Sequence, residues 1–203
     1  WRKGMRTTTM NLQCDAPPSD KLDRFFGPYL GERKLNLGCG RQPLDGWINL
    51  DRNPGSGVDI AFDLERCGRG EIARRDSFDT VLASHVLEHV TNLIPLMAEV
   101  HRILKPGGHL IAVAPYASSD AAWEDPTHVR AFTELSFYYF DQCLYARRDH
   151  AGSYESGIDF CLHVVEINLV PYPEFVNDPE LDFKKKHWRN VIQEVHAVLR
   201  KEP

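Results

Sequence analysis

Through its first half the 203-residue chain alternates short apolar runs with polar or amphipathic stretches. "KLNLG" (34–38), "WINLD" (47–51) and "VDIAFD" (58–63) are brief apolar runs, each closed by a glycine or an aspartate. "FDTVLAS" (78–84) is apolar and β-branched enough to predict a strand buried on both faces. The period then changes. In "NLIPLMAEVHRIL" (92–104), Leu93, Leu96, Met97, Val100, Ile103 and Leu104 form one helical stripe, with Pro95 acceptable only in a first turn. "KPGG" (105–108) is expected to end that helix, and "HLIAVAPY" (109–116) to be a fifth strand. Upstream, "SDKLDRFFGPYL" (19–30) opens on a cap-like Ser19-Asp20 and carries Leu22, Phe25, Phe26 and Tyr29 at helical spacing. Strands alternating with crossovers predict an α/β domain built on a parallel sheet. Ligands of such sheets bind at the carboxyl ends of the strands, here Gly38-Cys39-Gly40, Asp51, Asp63, Ser84-His85 and Pro115-Tyr116.

Beyond residue 117 the pattern turns polar and aromatic, with a short helix expected over Thr133 to Phe140. "FCLHVVEINLV" (160–170) predicts a long strand and "LDFKKKHWRNVI" (181–192) a helix. "EVHAVLRK" (194–201) alternates and suits an edge strand better than a helix tail. The expected organisation is an N-terminal extension (1–18) and a single domain (19–203), with an acceptor-site and lid insertion over about 117–157.

Composition narrows the partners. The chain is 42% hydrophobic and 26% charged, with a net charge of −5, which gives no basic excess for general nucleic-acid binding. Lys184-Lys185-Lys186 suits a solvated helix face. The five cysteines are widely spaced and form no CxxC, which points to a reducing, cytoplasmic setting. No apolar run approaches the roughly 18 residues of a membrane span. The basic start "WRKGMRTTTM" has no apolar core and does not resemble a secretory signal.

The candidate chemistry sits at the strand ends. In "LNLGCG", Gly38 and Gly40 bracket a turn directly after a strand, where backbone can approach a ligand. Asp51, closing the second strand, is placed to accept hydrogen bonds from ribose hydroxyls. Asp63, closing the third, is placed to meet an adenine amino group, with Leu64 packing on the ring. Either aspartate could instead be a turn or capping residue. Only twelve residues (39–50) separate Gly38 from Asp51, too few for a pyrophosphate cradle followed by a full helix, so a phosphate-free nucleoside suits the site better than NAD or FAD.

Taken in order, "KLNLGCG…GWINLD…DIAFDLE…SFDTVLASHVLEHV…EVHRILKPGGHL" resembles a class I S-adenosylmethionine-dependent methyltransferase of the type 11 group, from about Lys34 to Tyr116. The resemblance implies a Rossmann-like, seven-stranded, mostly parallel sheet with helices on both faces and one reversed strand towards the C-terminus. It implies S-adenosylmethionine as cofactor and S-adenosylhomocysteine as product. Gly38, Cys39 and Gly40 would lie under the methionine part, Asp51 at the ribose, Asp63 and Leu64 at the adenine, and Ser84-His85 beside the sulfonium. Two departures stand out: Asn36 occupies a position often acidic in the family, and the first crossover helix is shortened to one or two turns, with Arg41 available to compensate. "AWEDPTHVRAFT" (122–133) resembles a segment of those relatives presumed to act on small molecules or sugars. It supplies His128 as candidate base, with Asp125 and Glu124 beside it, although Asp125 could equally cap a turn. The implied partner is a small-molecule or saccharide acceptor methylated at oxygen or nitrogen, by a monomer or homodimer with no membrane association. A catalytically silent cofactor-binding or scaffold protein of the same fold is the alternative.

"HVLEH" (85–89) also matches the His-x-x-Glu-His string of zinc peptidases. That chemistry needs both histidines on one helix, whereas His85 follows a predicted strand directly. The expectation is therefore no metal, with Glu88 and His89 bonding nearby backbone and His101 and His196 as surface or satisfied core residues.

Overall fold

A computed structural model describes residues 22, 26–69, 71–142, 144 and 160–202. The expected extension 1–18, most of the helix at 19–30 and the later part of the insertion lie outside the described residues; Leu22 and Phe26 are helical. Seven strands form one sheet: β1 (Lys34–Leu37), β2 (Ile48–Asp51), β3 (Ile60–Ala61), β4 (Phe78–Ser84), β5 (Leu104–Pro115), β6 (Leu162–Pro171) and β7 (Ile192–Lys201), in the order β3-β2-β1-β4-β5-β7-β6. The pairs from β3 through β5 are parallel, and β7 runs antiparallel to both β5 and β6. One strand is therefore reversed, as the resemblance implies. That strand lies inside the sheet rather than at its edge, because β6 pairs outside it and β7 is the more deeply buried of the two.

Period-two alternation divides the core between the two faces of the sheet. Leu35, Leu37, Val81, Ala83, Leu110 and Ala112 face one way, against Leu96, Met97, Val100 and Ile103 of helix α1 (Leu93–Ile103). Leu82, Ile111, Val113 and Val198 face the other, against Leu22 and Phe26. Asn92 is the N-cap of α1, so Pro95 falls in the first turn, where its missing N–H breaks no helical bond. The helix ends one residue earlier than expected, and β5 takes in Lys105–Gly108 through a register shift opposite Phe78–Thr80. Helices α2 (Glu134–Tyr138, capped by Thr133) and α3 (Leu181–His187) follow, with short 3₁₀ turns between the elements, α3 giving way to β7 where a longer helix was expected.

The first crossover corrects the sequence reading. Between β1 and β2 there is no helix, shortened or otherwise, only turns over residues 38–47. Two buried asparagines replace it. Asn36 Nδ2 donates to Asn49 Oδ1 at 3.0 Å. Asn49 in turn accepts from the Leu44 N–H at 2.8 Å and donates to the Leu44 and Trp47 carbonyls at 3.1 and 3.3 Å. A side-chain amide can satisfy donors and acceptors of an irregular backbone at once, and here it holds the loop to the sheet.

Candidate functional site

Strand order reverses between β1 and β4, and the crevice forms at their carboxyl ends, where this topology places ligands. Gly38, directly after β1, has φ +61°, and a Cβ there would stand 2.3 Å from Val86 Cγ2, so only glycine lets the two strand ends approach. Gly40, at φ +55°, has nothing within 4 Å of a built Cβ, which leaves its backbone open to the crevice. Asp51 ties this turn down: Oδ2 accepts from the Gly40 N–H at 2.9 Å and Oδ1 from the Asn53 N–H at 2.8 Å. Asp63 caps the 3₁₀ turn Leu64–Arg66 through its Oδ1, which accepts from the Glu65 N–H at 3.1 Å. Both aspartates thus have the capping role the sequence left open, and both also line one cavity.

That cavity, about 450 Å³, is bordered by Gly38, Asp51, Asp63, Leu64 and His85 among others. A second, about 760 Å³, is bordered by Cys39, Gly40, Ser84, Glu124, Asp125 and His128. Gly38, His85 and His89 belong to both. Gly38, Cys39, Gly40, Asp51, Asp63, Leu64, Ser84, His85, Glu124, Asp125 and His128, the residues given a cofactor or catalytic role from the sequence, therefore border one of two adjoining cavities of ligand-site size, whereas Pro115 and Tyr116 border neither. Arg41 lies on the second, and the buried Ser84 hydroxyl there has no hydrogen-bond partner among the described residues.

His85 occupies a strained corner, φ +51°, with its N–H bonded to the Val113 carbonyl at 2.9 Å. Its ring is held between two carboxylates, Nε2 at 3.3 Å from Glu194 and Nδ1 at 3.5 Å from Glu88. Burial alone would lower the imidazole's pKa, but Glu194 and Glu88 outweigh it and raise the value to about 9. Burial likewise opposes ionisation of Glu194, yet His196, 2.8 Å away, and His85 hold it down to about 2. A chain His196–Glu194–His85–Glu88 thus spans from β7 to the corner after β4. Glu194 went unnoticed in the sequence because it sits in an ordinary alternating strand and meets His85 only through the sheet.

The loop after β5 closes over the crevice. Val129 donates its N–H to the Glu88 carbonyl at 2.9 Å, and Arg130 Nη2 donates to the Thr91 carbonyl at 3.0 Å. On the loop's other side, Asn190 and Arg189 bind Asp120. Asp125 accepts from both the N–H and the hydroxyl of Thr127, at 2.8 and 2.7 Å. His128 Nδ1 lies 3.1 Å from the Ala122 carbonyl. His89 does not bond backbone through its side chain as expected; its Nδ1 lies 2.9 Å from Thr127 Oγ1. Nor does Glu88: both its oxygens lack a hydrogen-bond partner among the described residues. His196 is satisfied, as expected, by Glu194, and His101 packs on Phe160.

Residues 47–112 match a methyltransferase domain family, type 11. A 52-residue stretch, 26% of this chain, is 45% identical to a highly reducing polyketide synthase of Calcarisporium arbuscula, of which it spans 2%. Among solved structures the chain resembles an S-adenosylmethionine-dependent methyltransferase from Archaeoglobus fulgidus, with a TM-score of 0.56, 15% identity, and 90% and 92% of the two chains covered. It also resembles the 1,6-didemethyltoxoflavin-N1-methyltransferase of Burkholderia thailandensis, solved with 1,6-didemethyltoxoflavin and S-adenosylhomocysteine, with a TM-score of 0.55, 15% identity, and 91% and 76% covered. A methyltransferase-like structure from Bacillus halodurans gives a TM-score of 0.55 at 15% identity, with 91% and 100% covered. The family match over residues 47–112 and the seven-stranded fold together liken the chain to the class I S-adenosylmethionine-dependent methyltransferases. The residues fit the cofactor of that class: an open glycine turn, two acids on one cavity and an unpartnered hydroxyl at the strand tips.

Proposed function

We propose that the protein transfers the methyl group of S-adenosylmethionine to an oxygen or nitrogen of a small-molecule or saccharide acceptor by in-line displacement. The observation that carries this reading is the meeting of two cavities at Gly38 and His85. Methyl donor and acceptor can occupy separate chambers and touch at one point. In the first chamber Asp51 takes the ribose hydroxyls, Asp63 and Leu64 the adenine, and the Gly38-Cys39-Gly40 turn the methionine part. Ser84 and His85 border the sulfur.

In the second chamber Glu124, Asp125 and His128 form one wall. The Ala122 carbonyl can only accept, so His128 carries its proton on Nδ1 and keeps Nε2 as the basic nitrogen. The acceptor's proton passes to Nε2 while a lone pair of the acceptor attacks the methyl carbon. The carbon–sulfur bond breaks, and neutral S-adenosylhomocysteine is left. Alignment and exclusion of water supply most of the rate, because a sulfonium methyl is already activated. The bound heterocycle of the Burkholderia enzyme supports a small acceptor. Cys39, Cys67 and Cys161 form no disulfide among the described residues, which suits a reducing cytoplasm, and no helix among the described residues is long and apolar enough to cross a membrane.

Titration calorimetry with S-adenosylhomocysteine, then a tritium-methyl screen against fractionated metabolites, tests the reading. Binding without transfer to any fraction favours the silent alternative. His128→Ala should slow turnover by about 10²–10⁴-fold with cofactor affinity intact; an equal loss of cofactor affinity would overturn the base assignment.

A further inference from the structure

We propose that Glu88, His89 and His128 form a binding site for a divalent transition-metal cation, Zn²⁺ being the best matched, at the junction of the two chambers. One ligand atom from each residue lies within 4.8 Å of the others. The donors come from two segments that the Val129-to-Glu88 backbone bond holds together. Glu88 is 1% exposed, and neither carboxylate oxygen has a hydrogen-bond partner among the described residues. His85 Nδ1 pairs with it only at 3.5 Å, the outer limit of a hydrogen bond, so its lone pairs stay open to a second cation. A buried carboxylate with only that long contact gains from a further charged partner.

The histidines are prepared for the same task. Thr127 gives its hydroxyl proton to Asp125, so the Thr127 oxygen accepts from His89 Nδ1–H. His128 Nδ1–H is likewise donated, to the Ala122 carbonyl. Both rings are therefore locked in the tautomer that leaves Nε2 bare, and their centroids stand 4.6 Å apart. A metal-binding histidine characteristically has its other nitrogen fixed by an outer acceptor in this way. Two imidazoles and a carboxylate, with room left for an exogenous ligand, make a donor set for Zn²⁺; ligand atoms around such an ion stand about 3.4 Å apart, so the three residues would draw together by up to about 1.4 Å on binding.

The site itself is independent of the methyltransferase reading; only the ion's task rests on it. With an ion bound, His128 Nε2 would be spent on coordination and could not also act as the base; the ion would supply that chemistry instead, by acidifying an acceptor hydroxyl whose proton would leave to bulk solvent.

Untagged protein is stripped with chelator and titrated with Zn²⁺ by calorimetry, and with Co²⁺ by visible absorption. One equivalent should bind. His89→Ala and His128→Ala should each weaken binding more than tenfold, and Thr127→Val, which frees the His89 ring, by about 10–100-fold. Thermal melts of the stripped variants establish that they are folded, and Thr127→Val, the mildest change, carries the test if an alanine variant does not fold. Absence of stoichiometric Zn²⁺ binding in the wild type, or variants that bind as tightly as it does, overturns the site. S-adenosylhomocysteine titrated into the same wild-type sample keeps the outcomes apart. Nucleoside binding without Zn²⁺ refutes the metal site alone, and Zn²⁺ without nucleoside refutes the methyltransferase reading alone.

Discussion

Replacing Asp51 with alanine removes two things at once, and the structure separates them. The carboxylate accepts two backbone N–H groups, Gly40 at 2.9 Å and Asn53 at 2.8 Å, one on each oxygen. Each oxygen keeps a second lone pair, which the proposed function gives to a ribose hydroxyl. Hydrogen bonds to a charged group contribute about 1.5–3 kcal/mol when buried, and both turns here reach solvent, so loss of the backbone pair should cost about 1–2 kcal/mol of stability. For a domain of this length that lowers Tm by roughly 2–8 °C. Loss of the hydroxyl partners should weaken S-adenosylhomocysteine binding by a further 1–3 kcal/mol, about 5- to 150-fold in Kd. Calorimetry reads the second effect and a ligand-free melt the first. Asp51→Asn, which keeps one acceptor oxygen, should fall between wild type and alanine in both. A lowered Tm with Kd unchanged would reduce Asp51 to a turn clamp and refute its ribose role.

Gly38→Ala should abolish cofactor binding, because the new Cβ meets Val86 Cγ2 at 2.3 Å on a backbone at φ +61°; adding Val86→Ala should restore it in part, and a single variant that binds normally would contradict the close approach. The Cys67 thiol is pushed up to about 12, by burial first and then by Glu99, Asp63 and Glu65. Peptide mapping should therefore find Cys67 alkylated at pH 8 only after denaturation, and equal rates in native protein would refute its environment. Glu194, about 2 when folded against 4.5, contributes stability above pH 4.5 that is lost as pH falls towards 2. His85, about 9 against 6.5, contributes below pH 6.5 and loses its contribution as pH rises through 9. Stability should therefore be flat near pH 4.5–6.5 and fall on both sides, and Glu194→Gln should flatten the alkaline limb; an alkaline limb as steep as wild type would break the assignment of that ion pair.

Where local pattern alone decides, the sequence was readable. β4 runs over Phe78–Ser84 as expected, since five of its seven residues (Phe78, Thr80, Val81, Leu82 and Ala83) are apolar or β-branched and turns bound the run. The glycine and aspartate tips were legible for the same reason: turn chemistry and strand endings are written within a few residues. Asn36 was not. It stood out only as a departure, because its role depends on Asn49 across the β1–β2 pair, and a hydrogen bond between side chains of neighbouring strands leaves no periodic trace. β7 was misplaced at an edge because alternation reports which face is buried, not which strands lie on either side.

The His-x-x-Glu-His string shows how one conformation can divide a motif. At His85 the chain takes φ +51° directly after β4, and residues 87–89 form a turn, with helix α1 beginning only at Leu93. A helix would have stacked the two histidines on one face four residues apart. The corner sends them to different partners instead: His85 joins Glu194 and His196 on β7, while His89 meets Thr127 and stands beside His128 on the loop after β5. Glu88 lies between, 3.5 Å from His85 and with a carboxylate oxygen within 4.8 Å of a ring nitrogen of each of the other pair. The peptidase geometry is thus absent although its letters are present. His85 and His89 each line both cavities, because the strained corner lies where the two meet.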